Sequence, residues 1–221
     1  MTYVICPFFY PAKNTGLQLC GEKGSFSSLS GDENSRLLLM SKAIGMVELQ
    51  TVSAGIQSAD MMLKTADVEV IESQPVCPGK YIVIISGDLS AVKASVDSVV
   101  SRFDSKVMGS FVLGNPHEAI FPALYGATKV EDVKALGVLE TFNAADIIMA
   151  ADAAAKTSLV DLIELRVARG MCGKSYMLIT GDVAAVSAAI ERAQQEVSKD
   201  GMLLDSSVIP NPDKRLWESI L

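Results

Sequence analysis

The sequence is short of the residues that most catalytic and metal chemistry requires. One histidine, His117, stands in 221 residues. A multi-histidine metal site is therefore excluded, and a Ser-His-Asp arrangement would have to use that residue. The four cysteines, Cys6, Cys20, Cys77 and Cys172, are widely spaced and form no CxxC. They suit neither a zinc ribbon nor a disulfide-dense secreted scaffold, and they point to a reducing compartment. Positive charge is also scarce: 19 Lys and Arg face 26 Asp and Glu, for a net charge of −7. A nucleic-acid partner, which needs a basic face, is not expected. No uncharged run reaches the ~18 residues that suggest a membrane span. The N-terminus lacks a basic segment followed by a clean apolar stretch, so neither a signal peptide nor a membrane partner is expected.

What the chain does contain is enough apolar material for a packed core. Apolar residues make up 49% and charged residues 20%, which excludes wholesale disorder. Residues 1–39 differ from the rest. They hold Tyr3, Phe8, Phe9, Tyr10 and Phe26, five of the 13 aromatics, and a Ser/Gly stretch at 24–31. No helical or strand period is sustained there. The expectation is an N-terminal extension, either flexible or read from a start upstream of the natural one at Met40. A tail that docks through Phe8-Phe9-Tyr10 is the sharper alternative.

Self-comparison decides the architecture. Ala43-Ile44-Gly45-Met46-Val47-Glu48 recurs as Ala135-Leu136-Gly137-Val138-Leu139-Glu140. Between 43–72 and 135–164, 11 of 30 positions are identical. Gly79-Lys80 then matches Gly173-Lys174, Gly87-Asp88 matches Gly181-Asp182, and Asn115-Pro116 matches Asn211-Pro212. The repeat is a tandem domain of ~90 residues, longer than a solenoid unit, with an expected first domain at 40–134 and a second at 135–221.

Each copy reads alike. Gly45–Leu49 is a short apolar strand. Ser53–Ala66 carries apolar residues at helical spacing behind a serine cap. Val68–Val76 alternates as a strand does, and Pro78-Gly79 turns it. Tyr81–Ser86 is an apolar strand, Asp88 can cap the helix Leu89–Phe103, and Phe111–Leu113 is a last strand. The order β-α-β-β-α-β is the ferredoxin-like plan, an α+β fold with helices on one face of an antiparallel sheet.

These residues resemble a known family. The Ala43–Glu48 strand, the Asp60-x-x-x-Lys64 helix, the Gly79-Lys80 loop and Ser86-Gly87-Asp88-x-x-Ala91-Val92, each repeated in the second copy, are similar to the bacterial microcompartment (BMC) shell domain. The resemblance covers about 43–221. It implies two tandem BMC domains in unpermuted order, and a homotrimer that forms a pseudohexameric tile. It also implies a structural shell protein rather than an enzyme, located in a microcompartment shell in the cytoplasm. The partners it implies are other shell proteins at the tile edges and an enclosed redox enzyme. It places Lys64 and Lys156 at the tile edge, reaching carbonyls of a neighbouring tile. Asn115 and Asn211 stand where many members have the arginine of Pro-Arg-Pro-His, which removes a planar multi-donor contact.

The resemblance also places the strand-to-strand loops around a central pore. The first is Val76-Cys77-Pro78-Gly79 and the second includes Met171-Cys172-Gly173. In the tandem type associated with propanediol utilisation, the loop cysteine of each of three subunits ligates one iron–sulfur cluster, and Cys77 matches that position. The implied cofactor is one [4Fe–4S] cluster per trimer, with Cys77 as the metal ligand and electron transfer as its use. The chemistry agrees with the symmetry: one loop cysteine per chain cannot hold a cluster in a monomer, whereas a three-fold axis gathers three thiolates. Three would hold three irons and leave the fourth open. The competing readings are a tile with a metabolite pore and an incidental Cys77, and a ligand-binding enzyme with Cys77 as nucleophile, which needs an activating base. Cys172 is either a second ring of sulfur at the pore or buried filler.

Overall fold

The computed structural model describes residues 43–130, 134–199 and 201–220. The extension expected at 1–39, with Cys6 and Cys20, lies outside them. The first repeat runs β1 (Ala43–Leu49), α1 (Val52–Thr65), β2 (Val68–Val76), β3 (Lys80–Gly87), α2 (Leu89–Phe103) and β4 (Val107–Gly114). A short helix, α3 (Ile120–Leu124), leads to the second repeat. There β5 (Ala135–Thr141), α4 (Ala144–Thr157), β6 (Asp161–Arg166), β7 (Ser175–Gly181), α5 (Val183–Ser198) and β8 (Leu203–Pro210) follow the same order. A terminal helix, α6 (Lys214–Ile220), closes the described chain.

Each repeat is a four-stranded sheet, ordered β2-β3-β1-β4 and β6-β7-β5-β8. Every pairing is antiparallel. This is the β-α-β-β-α-β plan read from the repeat. Both sheets bulge at matching places, between Glu48 and Leu49 and between Glu140 and Thr141.

The recurring glycine of the first strand has a packing reason. A Cβ on Gly45 would stand 2.6 Å from Val92 Cγ1, and one on Gly137 would stand 2.7 Å from Ile179 Cγ1 and 2.8 Å from Val186 Cγ1. Glycine lets the second helix of each repeat lie directly on the sheet. Another site solves the same problem in two ways. In the first repeat Gly55 leaves room for the Tyr81 ring, whose Cγ would lie 2.2 Å from an added Cβ. The corresponding positions in the second repeat are Ile147 and Ser175, large and small exchanged, and both are fully buried.

Two capping expectations need correction. The first helix of each repeat begins earlier than Ser53. Thr51 Oγ1 accepts from Ala54 N at 3.3 Å, and in the second repeat Asn143 Oδ1 accepts from Asp146 N at 2.9 Å. Ser53 lies inside the helix, so the hydroxyl that stops the orphan amide is two residues upstream. Asp88 does occupy a cap position, but its side chain makes no capping hydrogen bond.

The cores are not symmetric. One cluster fills the space between sheet and helices of the first repeat, with Val47, Leu49, Val83, Ile85, Val92 and Val99. A larger one joins the opposite face of that sheet (Ile44, Met46, Ile82, Ile84) to α4 and to the interior of the second repeat. The second repeat therefore sits with α4 against the back of the first sheet. On the back of its own sheet, Leu136, Ile163 and Leu178 are covered by Trp217 of α6.

Candidate functional site

The two strand-to-strand loops lie side by side. Gly79 N donates to Val76 O at 2.9 Å, with Gly79 at φ 99°, and this closes the first loop into a tight turn. A side chain there would be strained, so glycine is required. Cys77 is exposed at the tip. The second loop is longer. Lys174 N donates to Met171 O at 3.1 Å, and Cys172 and Gly173 both take left-handed backbone, at φ 53° and 88°. Cys172 is exposed as well, so it is not buried filler. A Cβ on Gly173 would meet Cys77 O at 3.4 Å and Lys80 Nζ at 3.0 Å. The structure thus brings Val76, Cys77, Pro78 and Gly79 next to Met171, Cys172 and Gly173.

Below the loops, the seam between the repeats is held by a buried charge. Glu48 is fully buried on β1. Its Oε1 accepts from Lys80 Nζ at 2.9 Å, and its Oε2 accepts from Ala144 N at 3.1 Å. Ala144 opens α4, so the carboxylate meets the positive end of a helix as well as an ammonium. Unpaired, such a charge would cost several kcal/mol, on the order of the desolvation of an ion. Glu72 on β2 is paired across the same seam with Arg169 of the second loop, and it also accepts from Gln74. Tyr125 lies near this pair. Burial raises its phenol above the usual value, the Glu72 charge adds to the rise, and Arg169 opposes it.

Sequence reading missed Glu48. The signal was present: a glutamate kept at one place of an apolar strand in both repeats. What it neutralises lies 32 and 96 residues away, beyond any local pattern.

At the outer end of the seam, Lys156 Nζ donates to Asp152 Oδ2 at 2.6 Å and to Asn115 O at 2.9 Å. Asp152 Oδ1 accepts from His117 N at 2.8 Å. Asn115 has φ 55°, in the left-handed region. Lys156 thus makes two of its three possible donations within its own chain. Lys64, its counterpart on α1, pairs with Asp60 at 2.7 Å, and both side chains are exposed. His117 Nδ1 accepts from Ala119 N at 3.3 Å. The polar contacts of His117 are with Ala119 and Asp152.

On the back of the second sheet, Glu164 accepts from Tyr176 Oη at 2.8 Å and from Arg166 Nε at 2.9 Å. Tyr176 is pushed up to about 12 by burial, and further by the hydrogen bond to Glu164 and its charge. Among the described residues no group of three or more His, Cys, Asp or Glu is placed to hold a metal ion.

The family model described as "BMC domain" matches residues 43–116 and again 135–212. The chain belongs to the BMC-domain family. It is 37% identical over 182 residues to the bacterial microcompartment shell protein PduT of Citrobacter freundii, covering 82% of this chain and 99% of PduT. It is 28% identical over 191 residues to the carboxysome assembly protein CcmO of a Synechococcus strain, covering 80% and 68%. A solved microcompartment protein from Desulfitobacterium hafniense superposes with a TM-score of 0.73 at 45% identity, over 80% of this chain and 98% of that one. This BMC protein is a structural shell component of a bacterial microcompartment, where shell proteins assemble with one another. Among the described residues no helix is long and apolar enough to cross a membrane.

Proposed function

We propose that three copies of this BMC protein close into a pseudohexameric tile, with residues 40–134 and 135–221 as its alternating domains. In the centre, Cys77 of each copy holds one [4Fe–4S] cluster. The observation that carries this reading is the pairing of the two loops, with Cys77 exposed at the tip of one and its carbonyl against Gly173 of the other. The donor set fits the cluster only in an assembly: one thiol per chain is too few, and three related by symmetry match three irons. When bound, the cluster supplies one-electron transfer across the shell, or a unit for delivery to an enclosed redox enzyme. The chain's own part is positional. Gly79 tightens the turn that presents Cys77, and the Glu48–Lys80 pair fixes the root of the loop against the second domain. The likeness to PduT supports a tile of the propanediol-utilisation type.

The test is iron and acid-labile sulfide measured on protein purified without oxygen, beside Cys77→Ser. The expected result is close to one cluster per three chains, lost in the variant. Equal metal in both would remove the cluster and leave a structural tile with a metabolite pore.

A further inference from the structure

We infer that the cavity at the outer end of the seam, between the linker helix α3 and the end of α4, is a binding site for an organic ammonium ion with an apolar body. The site goes beyond the tile and its cluster and depends on neither.

The cavity has a volume of about 720 Å³, which falls in the range of small-molecule sites. One wall is the linker between the repeats, from His117 to Ala127. The other is the end of α4 with the turn that leads into β6. The linker wall is held by its own backbone: Ile120 N donates to His117 O at 3.1 Å, and Ala127 N donates to Pro122 O at 2.9 Å. His117 N donates to Asp152 Oδ1 at 2.8 Å, which fastens the same segment to α4. The chain thus builds the cavity before a ligand arrives, and binding requires little ordering.

The lining is apolar and aromatic, and its charge is of one sign. Phe121 is buried, whereas Tyr125 and Leu159 are 52% and 96% exposed. The residue of the first repeat that matches Leu159 is Asp67, so the turn itself does not require an exposed leucine. Glu118 and Asp161 supply two carboxylates. Neither has a side-chain hydrogen bond or an ion pair among the described residues, and none of the lining residues is Lys or Arg. Lys156, next to the lining residue Ala155, donates to Asp152 and Asn115. Two carboxylates attract a cation, and the faces of two aromatic rings add to that attraction. A bare metal ion is a poor match, since among the described residues no group of three or more His, Cys, Asp or Glu is placed to hold one. An ammonium group on an alkyl or aryl body uses both the charge and the apolar walls. The wall also contains Ser158, whose Oγ is buried without a hydrogen-bond partner among the described residues. Such an oxygen accepts from an ammonium N–H.

The test is calorimetric titration of the full-length protein with three probes that share one body: phenethylammonium, phenethyl alcohol and phenylacetate. Phenethylammonium should bind one site per chain at least about tenfold more tightly than the alcohol, and phenylacetate should not bind. The double variant Glu118→Gln/Asp161→Asn should weaken the ammonium about tenfold, to the level of the alcohol, and leave the alcohol as it was. Leu159→Arg, a change at an exposed position, should keep the circular dichroism of the folded chain and also weaken the ammonium at least about tenfold. Equal binding of the ammonium and the alcohol by the wild-type chain, or binding of neither, would overturn the assignment. Ammonium binding that the double variant and Leu159→Arg both leave unchanged would overturn it as well, because the site would then lie elsewhere. The readout involves no iron, so it stands or falls apart from the cluster.

Discussion

Ile56 and Ile148 are the same residue at the same place of the repeat. One is 58% exposed and the other fully buried. Their helices have equal length and matching Asp/Lys pairs. The difference comes from what packs on the outer side: the back of a sheet for α4, and among the described residues nothing comparable for α1. Burial here is a property of the neighbour rather than of the helix, and an exposed copy of a buried element marks where another neighbour belongs.

Substitutions at matched positions can break that comparison. The largest effect is expected at the isoleucines. On chain dilute enough to be single, Ile148→Ala should cost about 2–5 kcal/mol in urea unfolding through its cavity. Ile56→Ala should stay within about 0.5 kcal/mol. Equal losses would mean that the two helices are equally covered. Next come the loop lysines. Lys80→Met strands the buried Glu48 carboxylate and should cost about 3 kcal/mol, by the usual scale for removing one partner of a buried pair. Lys174→Met, at an exposed position, should be nearly neutral in the single chain.

The exchanged pair under the first helices sharpens the point. Gly55→Ala forces the Tyr81 ring aside and should cost about 1–3 kcal/mol. Gly55→Ile combined with Tyr81→Ser copies the second repeat and should recover stability that Gly55→Ile alone loses. A double variant no better than the single would show that the two sites are not equivalent. The smallest effect is the pH dependence contributed by Tyr176 on the second sheet. Tyr176 ionises at about 12 in the folded chain and at 10.0 ordinarily. The unfolded chain therefore releases this proton first, and stability should fall as pH rises from about 10 to 12. Tyr176→Phe should remove its share of that slope and leave the share of Tyr125, whereas its counterpart Ile82 has nothing to titrate.

Much of this was legible before any coordinates. The repeat carried its own register, so the eight strands, the order β-α-β-β-α-β and the two loops could be read from matched residues such as Gly45 and Gly137. Those glycines recur because a helix lies on them, which is a local demand. The helix starts were less legible, because Thr51 and Asn143 cap where Ser53 was the more conspicuous hydroxyl. The seam was not legible at all. Glu48, Ala144 and Lys80 are far apart in the chain, and α1 and α4 have the same apolar spacing although only one is covered. A period reports which face of a helix is apolar, and not what lies against it. At the loops, Cys77 could be picked out, whereas the exposure of Cys172 depends on a longer turn in left-handed backbone that no spacing foretold.

The claim that unlike exposure of like parts reflects an unclosed ring is tested most directly by the molar mass of the full-length protein in solution, measured by light scattering after size-exclusion chromatography. The account predicts a single species with the mass of three chains. A species with the mass of one chain at every concentration would contradict it.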